Sequence, residues 1–375
     1  MNDTSLKSRR DFARATAAIT MGSLAAVPAP ASADEPPKPP PRKPRVRIGA
    51  RISPAWMRSP DDADLRFLKQ IGVDALDIEL VMVKGYQETG SITRAALREL
   101  TSRFEAAGLR IERANAMGDM ILNAHLDRPE GRREIDDLKR IGEVLAEAKI
   151  PVYGIQSCQA SLHVDRGRQG WSRGKGRGGY DHPAFDLAAA EASRPTPRYP
   201  VTADQLWKGL LNIYRNVIPV VEGSDTRVAM HGNDPPLYQH LGSPQILCRF
   251  ADFDRLFSEV PSRHNAMTFC VGTRYESGED VFEGIRRFGG QGKLCHVHFR
   301  NVRGTLPKSR GYEEVFVDDG DLSMANVLRA LIDVGYDGVI DYDHPIGVTG
   351  DGPLPKQYVA FAVGYMRGLI QSLGG

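Results

Sequence analysis

Leu-Cys-His-Val-His-Phe-Arg-Asn, residues 294–301, is the stretch from which the rest of the chain can be read. With a period of two it places His296, His298 and Arg300 on one face and Cys295, Val297 and Phe299 on the other. Two imidazoles and a guanidinium on one face of a short strand are costly to bury, unless that face looks into a wet, charged site. A metal ion and an anionic substrate would supply the partners such a face needs.

On either side of this strand the pattern alternates. Short apolar strands are predicted over residues 46–52, 74–80, 109–115, 151–157, 227–231, 266–272, 294–301 and 338–344. Helices are predicted between and after them, over 61–72 (capped by Ser59 or Asp61), 93–108, 132–149, 202–222 (capped by Thr202), 251–260, 278–289, 322–335 and 357–373. Eight strands alternating with helices is the count of an α/β (β/α)8 TIM barrel, here over residues 45–375. The competing open, doubly wound sheet usually declares a Gly-rich nucleotide loop after its first strand. Ile48-Gly49-Ala50-Arg51-Ile52 is not one.

The N-terminus reads differently. Ser8-Arg9-Arg10-Asp11-Phe12 is a twin-arginine pattern, an Ala-rich and mildly apolar run follows, and Ala31-Ser32-Ala33 supplies a small-x-small cleavage site. Residues 1–33 are therefore read as a twin-arginine export signal, which makes the mature protein periplasmic. Residues 34–44, Pro-rich and charged, read as an extended linker. The signal carries Lys7, Arg9, Arg10 and Arg14 against Asp3 and Asp11, so its removal takes the formal net charge from +2 to zero. A balanced chain has no basic field for nucleic acid. No later segment is apolar enough to span a membrane. The expected partner is a small molecule; a homo-oligomer is compatible with the sequence. Cys158, Cys248, Cys270 and Cys295 have no paired spacing and read as neither a disulfide framework nor a zinc finger.

Barrel active sites lie at the carboxyl ends of the strands. The last four strands end in His231, Cys270, His298 and Asp343. Each has an ordinary structural explanation: a turn cap for His231 or Asp343, a small buried hydrophobe for Cys270, a core histidine for His298. Together, at four successive strand ends, they read as a site for a divalent transition metal such as Mn2+ or Fe2+. His296 and Asp341 share their parity one layer deeper and read as supporting groups. Arg300 reads as a bidentate clamp for a substrate carboxylate. Within the Gly/Arg-rich insertion at 166–200, the stretch 170–180, with Arg173 and Arg177, is either a mobile cationic lid that touches substrate or a solvated loop.

These residues carry a resemblance. Met-His-x-x-Asp-Pro-Pro (230–236), Phe-Cys-x-Gly (269–272), Val-His-Phe-Arg-Asn-Val (297–302), Glu-x-x-x-x-Asp-Gly-Asp-Leu (314–322) and Asp-His (343–344) stand in the order found in mannonate dehydratases. The chain resembles that family from about Arg227 onward. The resemblance implies a xylose-isomerase-like barrel and a metal-dependent hydro-lyase that removes water from D-mannonate in glucuronate breakdown, giving 2-keto-3-deoxy-D-gluconate. It further implies His231, Cys270, His298 and Asp343 as metal ligands and His344 in proton transfer. Where the family carries a catalytic tyrosine before the last helix this chain has Leu354, with Tyr358 one turn later. Two other readings are an exported sugar isomerase or epimerase of the xylose-isomerase type, and a barrel that binds carbohydrate without turning it over.

Overall fold

The computed structural model describes residues 46–52, 60–163, 168–193, 197–352 and 354–374. The export signal at 1–33 and the linker at 34–44 lie outside the described residues. Eight parallel strands follow one another around a closed barrel: β1 (Arg47–Ile52), β2 (Ala75–Glu79), β3 (Arg110–Ala116), β4 (Val152–Ile155), β5 (Arg227–His231), β6 (Asn265–Cys270), β7 (Leu294–His298) and β8 (Val339–Asp341), which pairs with β1. Outside it run α1 (Asp62–Ile71), α2 (Arg94–Ala106), α3 (Gly131–Glu147), α4 (Ala203–Val221), α5 (Phe250–Glu259), α6 (Val281–Gly290), α7 (Met324–Asp333) and α8 (Lys356–Ser372). The expected alternation is present element by element. Among the described residues no helix is long and apolar enough to cross a membrane.

Local chemistry explains where the helices start. Asp61 accepts from the Asp64 amide while the Asp64 carboxylate accepts from the Asp61 amide, and Thr202 and Gln205 make the same reciprocal pair before α4. Thr93 caps α2. Each such cap contributes about 1 kcal/mol. Strands β2, β6 and β7 are buried along their whole length, as parallel strands between a barrel interior and a helical shell must be. Leu76, Ile78, Val228, Met267, Phe269 and Val297 lie in one continuous apolar core, at about 2 kcal/mol for each fully buried large side chain.

Among the strands that end earlier than their sequence suggests, three shape the site by where they stop. The sixth was expected to reach residue 272 but stops at Cys270, because the helical turn Val271–Glu276 begins at once with Cys270 as its cap. The seventh was expected to reach 301 but stops at His298; the chain then leaves the barrel as a new strand, Asn301–Arg303. The eighth was expected to reach 344 but stops at Asp341, since Asp343 takes a left-handed conformation (φ 56°) that no strand can hold.

A second, four-stranded antiparallel sheet joins Asn301–Arg303, Gly311–Val315, Asp181–Asp186 and Trp171–Lys175 in that order. The insertion is therefore folded, with a hairpin over 171–186 followed by a short helix, Leu187–Ala192. Tyr180 pins it, stacking on Phe316 with ring centroids 4.0 Å apart and donating its hydroxyl to Asp319 Oδ2 at 2.8 Å.

Candidate active site

Register brings the donors together. Cys270 on β6 is paired with His298 on β7, and His298 with Asp341 on β8. His231 is paired with Thr268, two residues before Cys270. One donor atom from each of His231, Cys270, His298 and Asp343 lies within 4.8 Å of the others. His298 Nδ1 is 3.3 Å from Asp343 Oδ1, and the His231 and His298 rings are 5.0 Å apart. Cys270 Sγ accepts from the Thr273 hydroxyl at 3.1 Å and from its amide at 3.4 Å, contacts suited to a thiolate.

Electrostatics favour the ligating forms of Cys270, Asp343 and His231; burial would lower His298 too, but Asp343, Asp341 and Asp77 raise it well above the ordinary imidazole range. Burial alone would raise the Cys270 thiol, but the Arg300 guanidinium, His231 and His298 outweigh it and hold it well below its ordinary range. Burial would likewise raise Asp343; His298, His344 and Arg51 hold it well below the usual carboxylate range. Burial pushes His231 down, toward the neutral imidazole. The His231 Nε2 and His298 Nδ1 atoms are buried without a hydrogen-bond partner. Two orphaned imidazole nitrogens, a thiolate and a carboxylate, nearly all buried, fit a divalent transition ion.

Two other acidic clusters lie nearby: Asp77, His296, His298 and Asp341, and Asp234, Glu276 and Glu314. Each already holds a cation. Arg113 Nη1 donates to Asp77 Oδ2 at 2.6 Å, and Arg300 sits among the second set. The supporting pair is where its parity placed it: His296 bonds Asp341 Oδ2 at 2.9 Å, and Asp341 Oδ1 accepts the Asp343 amide at 3.0 Å.

Arg300 departs from its expected role. Its Nη1 donates to Glu276 (2.5 Å), its Nη2 to Asp234 (2.6 Å) and Thr273 Oγ1 (3.0 Å), and its Nε to Asp343 (3.1 Å). The side chain is buried and outside the lining of the cavity described below. A guanidinium so engaged holds Asp343 and Asp234, and leaves no nitrogen unspent for the carboxylate clamp expected of it. Gly272 permits this, because a Cβ there would stand 2.6 Å from Arg300 Nη1.

The donors open into a cavity of about 460 Å³. His231, His298, Asp343 and His344 line one side; Arg51, Glu79, Arg113, Gln156, Gln159, His163 and Trp171 line the other. His344 Nδ1 bonds Glu314 Oε2 at 2.9 Å, and its Nε2 lies 3.5 Å from Asp343 Oδ2. Burial would lower His344, but Asp343 and Glu314 raise it to about 8. Arg173 and Arg177 do not line the cavity: Arg173 is exposed, and Arg177 pairs with Asp318 at 2.7 Å. The insertion contributes Trp171 instead. Tyr358 is buried against Phe316, and neither it nor Leu354 reaches the cavity.

The second wall was missed because its residues lie on the early strands, in no compact motif. One signal was there: Arg110-Ile-Glu-Arg-Ala-Asn-Ala puts Glu112, Arg113 and Asn115 inside a seven-residue strand that must be buried. Charges in a barrel strand need partners, and partners cluster at sites.

Comparison with known proteins agrees with the late-strand motifs. Residues 197–374 match the family model for D-mannonate dehydratase (UxuA). A mannonate dehydratase of Enterococcus faecalis is 34% identical over 178 residues, 46% of this chain and 48% of that protein. Mannonate dehydratase 2 of Halalkalibacterium halodurans is 28% identical over 177 residues, 46% of this chain and 51% of that protein. The chain thus spans about half the length of the curated relatives it matches. In fold, a mannonate dehydratase crystal structure from Streptococcus suis superimposes with a TM-score of 0.71 at 22% identity, covering 87% of this chain and 93% of that one. A xylose isomerase domain protein from Alicyclobacillus acidocaldarius superimposes with a TM-score of 0.57 at 14% identity, covering 88% and 100%. The fold is that of a xylose-isomerase-like barrel, and its C-terminal half, with all four metal-donor residues, carries the mannonate dehydratase family pattern.

Proposed function

We propose that the protein is a metal-dependent hydro-lyase that removes water from D-mannonate, or a closely related sugar acid, to give 2-keto-3-deoxy-D-gluconate. The observation that carries this reading is the convergence of His231, Cys270, His298 and Asp343 within the segment that matches the dehydratase family. These four residues would hold the ion, with Mn2+ or Fe2+ best suited to two imidazoles, a thiolate and a carboxylate. When bound, a divalent ion stabilises negative charge developing on substrate oxygens.

The chain's own groups then have separable tasks. Dehydration of a sugar acid needs a base for the acidic C–H next to the carboxylate and an acid for the departing hydroxyl. His344 faces the cavity with its Nδ1 fixed by Glu314, so Nε2 is the atom that carries the exchangeable proton. With a value near 8 it is protonated at neutral pH and suits the acid role. Arg300 keeps Asp343 and Asp234 in place from behind. Trp171, braced by Phe185 and Tyr312, covers the cavity from the insertion and keeps bulk water off the reacting carbons.

We place this activity in the periplasm, after twin-arginine export. That route carries folded proteins and suits a chain that takes up its metal first. The decisive experiment incubates metal-loaded protein with D-mannonate and follows keto-acid release. Product formation that needs Mn2+ or Fe2+, and falls at least about 100-fold in His344→Asn, is expected. No keto acid from any aldonic acid, with aldose–ketose interconversion by the same sample, would sink the reading in favour of an isomerase.

A further inference from the structure

The cavity has two walls of different origin. The metal donors and His344 come from β5 to β8, inside residues 197–374. The facing wall comes from the ends of β1 to β4 and from the insertion, outside that segment. The donor wall is fitted for an ion; the facing wall must meet the rest of the substrate.

On that facing wall, Arg113 is the best-placed anion donor. It lies on β3 and lines the cavity with only 4% of its side chain exposed. Nη1 is fully engaged, donating to Asp77 Oδ2 at 2.6 Å and lying 3.2 Å from His298 Nε2. Asp77 is itself fixed by Asn115 Nδ2 at 2.5 Å, so the guanidinium plane is held rigidly. Nη2 bonds to no protein group among the described residues, and Nε is buried without a partner. Arg300, by contrast, has every nitrogen engaged by the protein. The position is also sterically prepared. A Cβ on Gly154 of β4 would stand 1.8 Å from Asn115 Oδ1 and 3.1 Å from Arg113 Nε, so only glycine leaves room for this pair to lean over β4.

We propose that Arg113 anchors the substrate's carboxylate through its outer guanidinium edge, so that the N-terminal half of the barrel selects a sugar acid over a neutral sugar. The proposal rests on the sugar-acid reading above, but not on the dehydration step. A guanidinium oriented by one buried carboxylate, with its Nη2 unspent at a cavity wall, discriminates strongly between a carboxylate and its amide.

The test is calorimetric titration of Mn2+-loaded protein with D-mannonate, D-gluconate and D-galactonate, and with the corresponding uncharged aldonamides. The parent should bind at least one acid about tenfold or more tighter than its amide. Arg113→Gln should abolish that preference, Arg113→Lys should retain part of it, and metal content should match the parent in both. Because Arg113→Gln leaves Asp77 unpaired, the double variant Asp77→Asn/Arg113→Gln removes both charges and must show the same loss. An acid preference that survives in the double variant overturns the proposal, as does a parent that shows none. If the preference depends on Arg113 but no keto acid is ever released, the anchor stands and the dehydratase reading falls.

Discussion

At the scale of single residues, the site depends on close approaches that larger side chains would break. Gly272 is one. A methyl group there would press on a guanidinium that Glu276, Asp234 and Asp343 prevent from retreating. Gly272→Ala should therefore cost about 1–3 kcal/mol in denaturant unfolding and should also lower metal occupancy, since Arg300 steadies Asp343. Unchanged values for both would refute this account of the Cys-x-Gly pair. Cys270 is the second sensitive position. Surrounding cations hold its thiol well below the ordinary range, so Cys270→Ser, which offers a far less acidic hydroxyl, should weaken Mn2+ affinity at least about tenfold by competition with a fluorescent chelator. The folded barrel should persist, because the Ser hydroxyl can still cap Val271–Glu276.

At the scale of elements, the insertion was read from sequence as a cationic lid or a solvated loop. Its described part includes a hairpin of the second sheet, attached by pairing to Gly311–Val315 and by Tyr180. Tyr180→Ala removes the stack on Phe316 and the bond to Asp319. It should raise the rate of proteolytic nicking within residues 168–186 roughly tenfold, at little cost to the barrel's thermal transition. Nicking at the parental rate would show that the sheet pairing alone holds the hairpin. The alternation of strands and helices was readable because parallel strands appear as apolar runs and because Asp61, Thr93 and Thr202 announce their helices. The strand ends were not readable. They are set by a left-handed Asp343 and by Cys270 acting as a cap, choices made by contacts far away in sequence. The same limit explains Arg300. It lies beyond the end of β7, and its partners Asp234 and Glu276 lie 66 and 24 residues away, so sequence alone could not show its nitrogens engaged.

At the scale of the whole molecule, stability is linked to pH through a histidine outside the donor set. His125, buried beneath the β4 end with Nε2 bonded to Gln156 O at 3.0 Å, is pushed by burial from 6.5 down to about 4. Between those values the unfolded chain binds the extra proton and the folded chain does not. His125 therefore contributes fully above pH 6.5, and its contribution is lost as the pH falls toward 4. Between pH 7 and 5 this amounts to about 2 kcal/mol. Urea midpoints at those two pH values should separate by that much more in the parent than in His125→Gln; equal losses would assign the acid sensitivity elsewhere. The division of the cavity has a consequence for how such a barrel can change. One half-barrel carries the candidate donors and the other most of the facing wall, and the two are joined along the β4–β5 and β8–β1 seams and by the pairing of Asp181–Asp186 with Gly311–Val315. Exchanging residues 46–193 for the matching half of another xylose-isomerase-like barrel is thus a route to a new substrate that leaves the ion's binding residues in place.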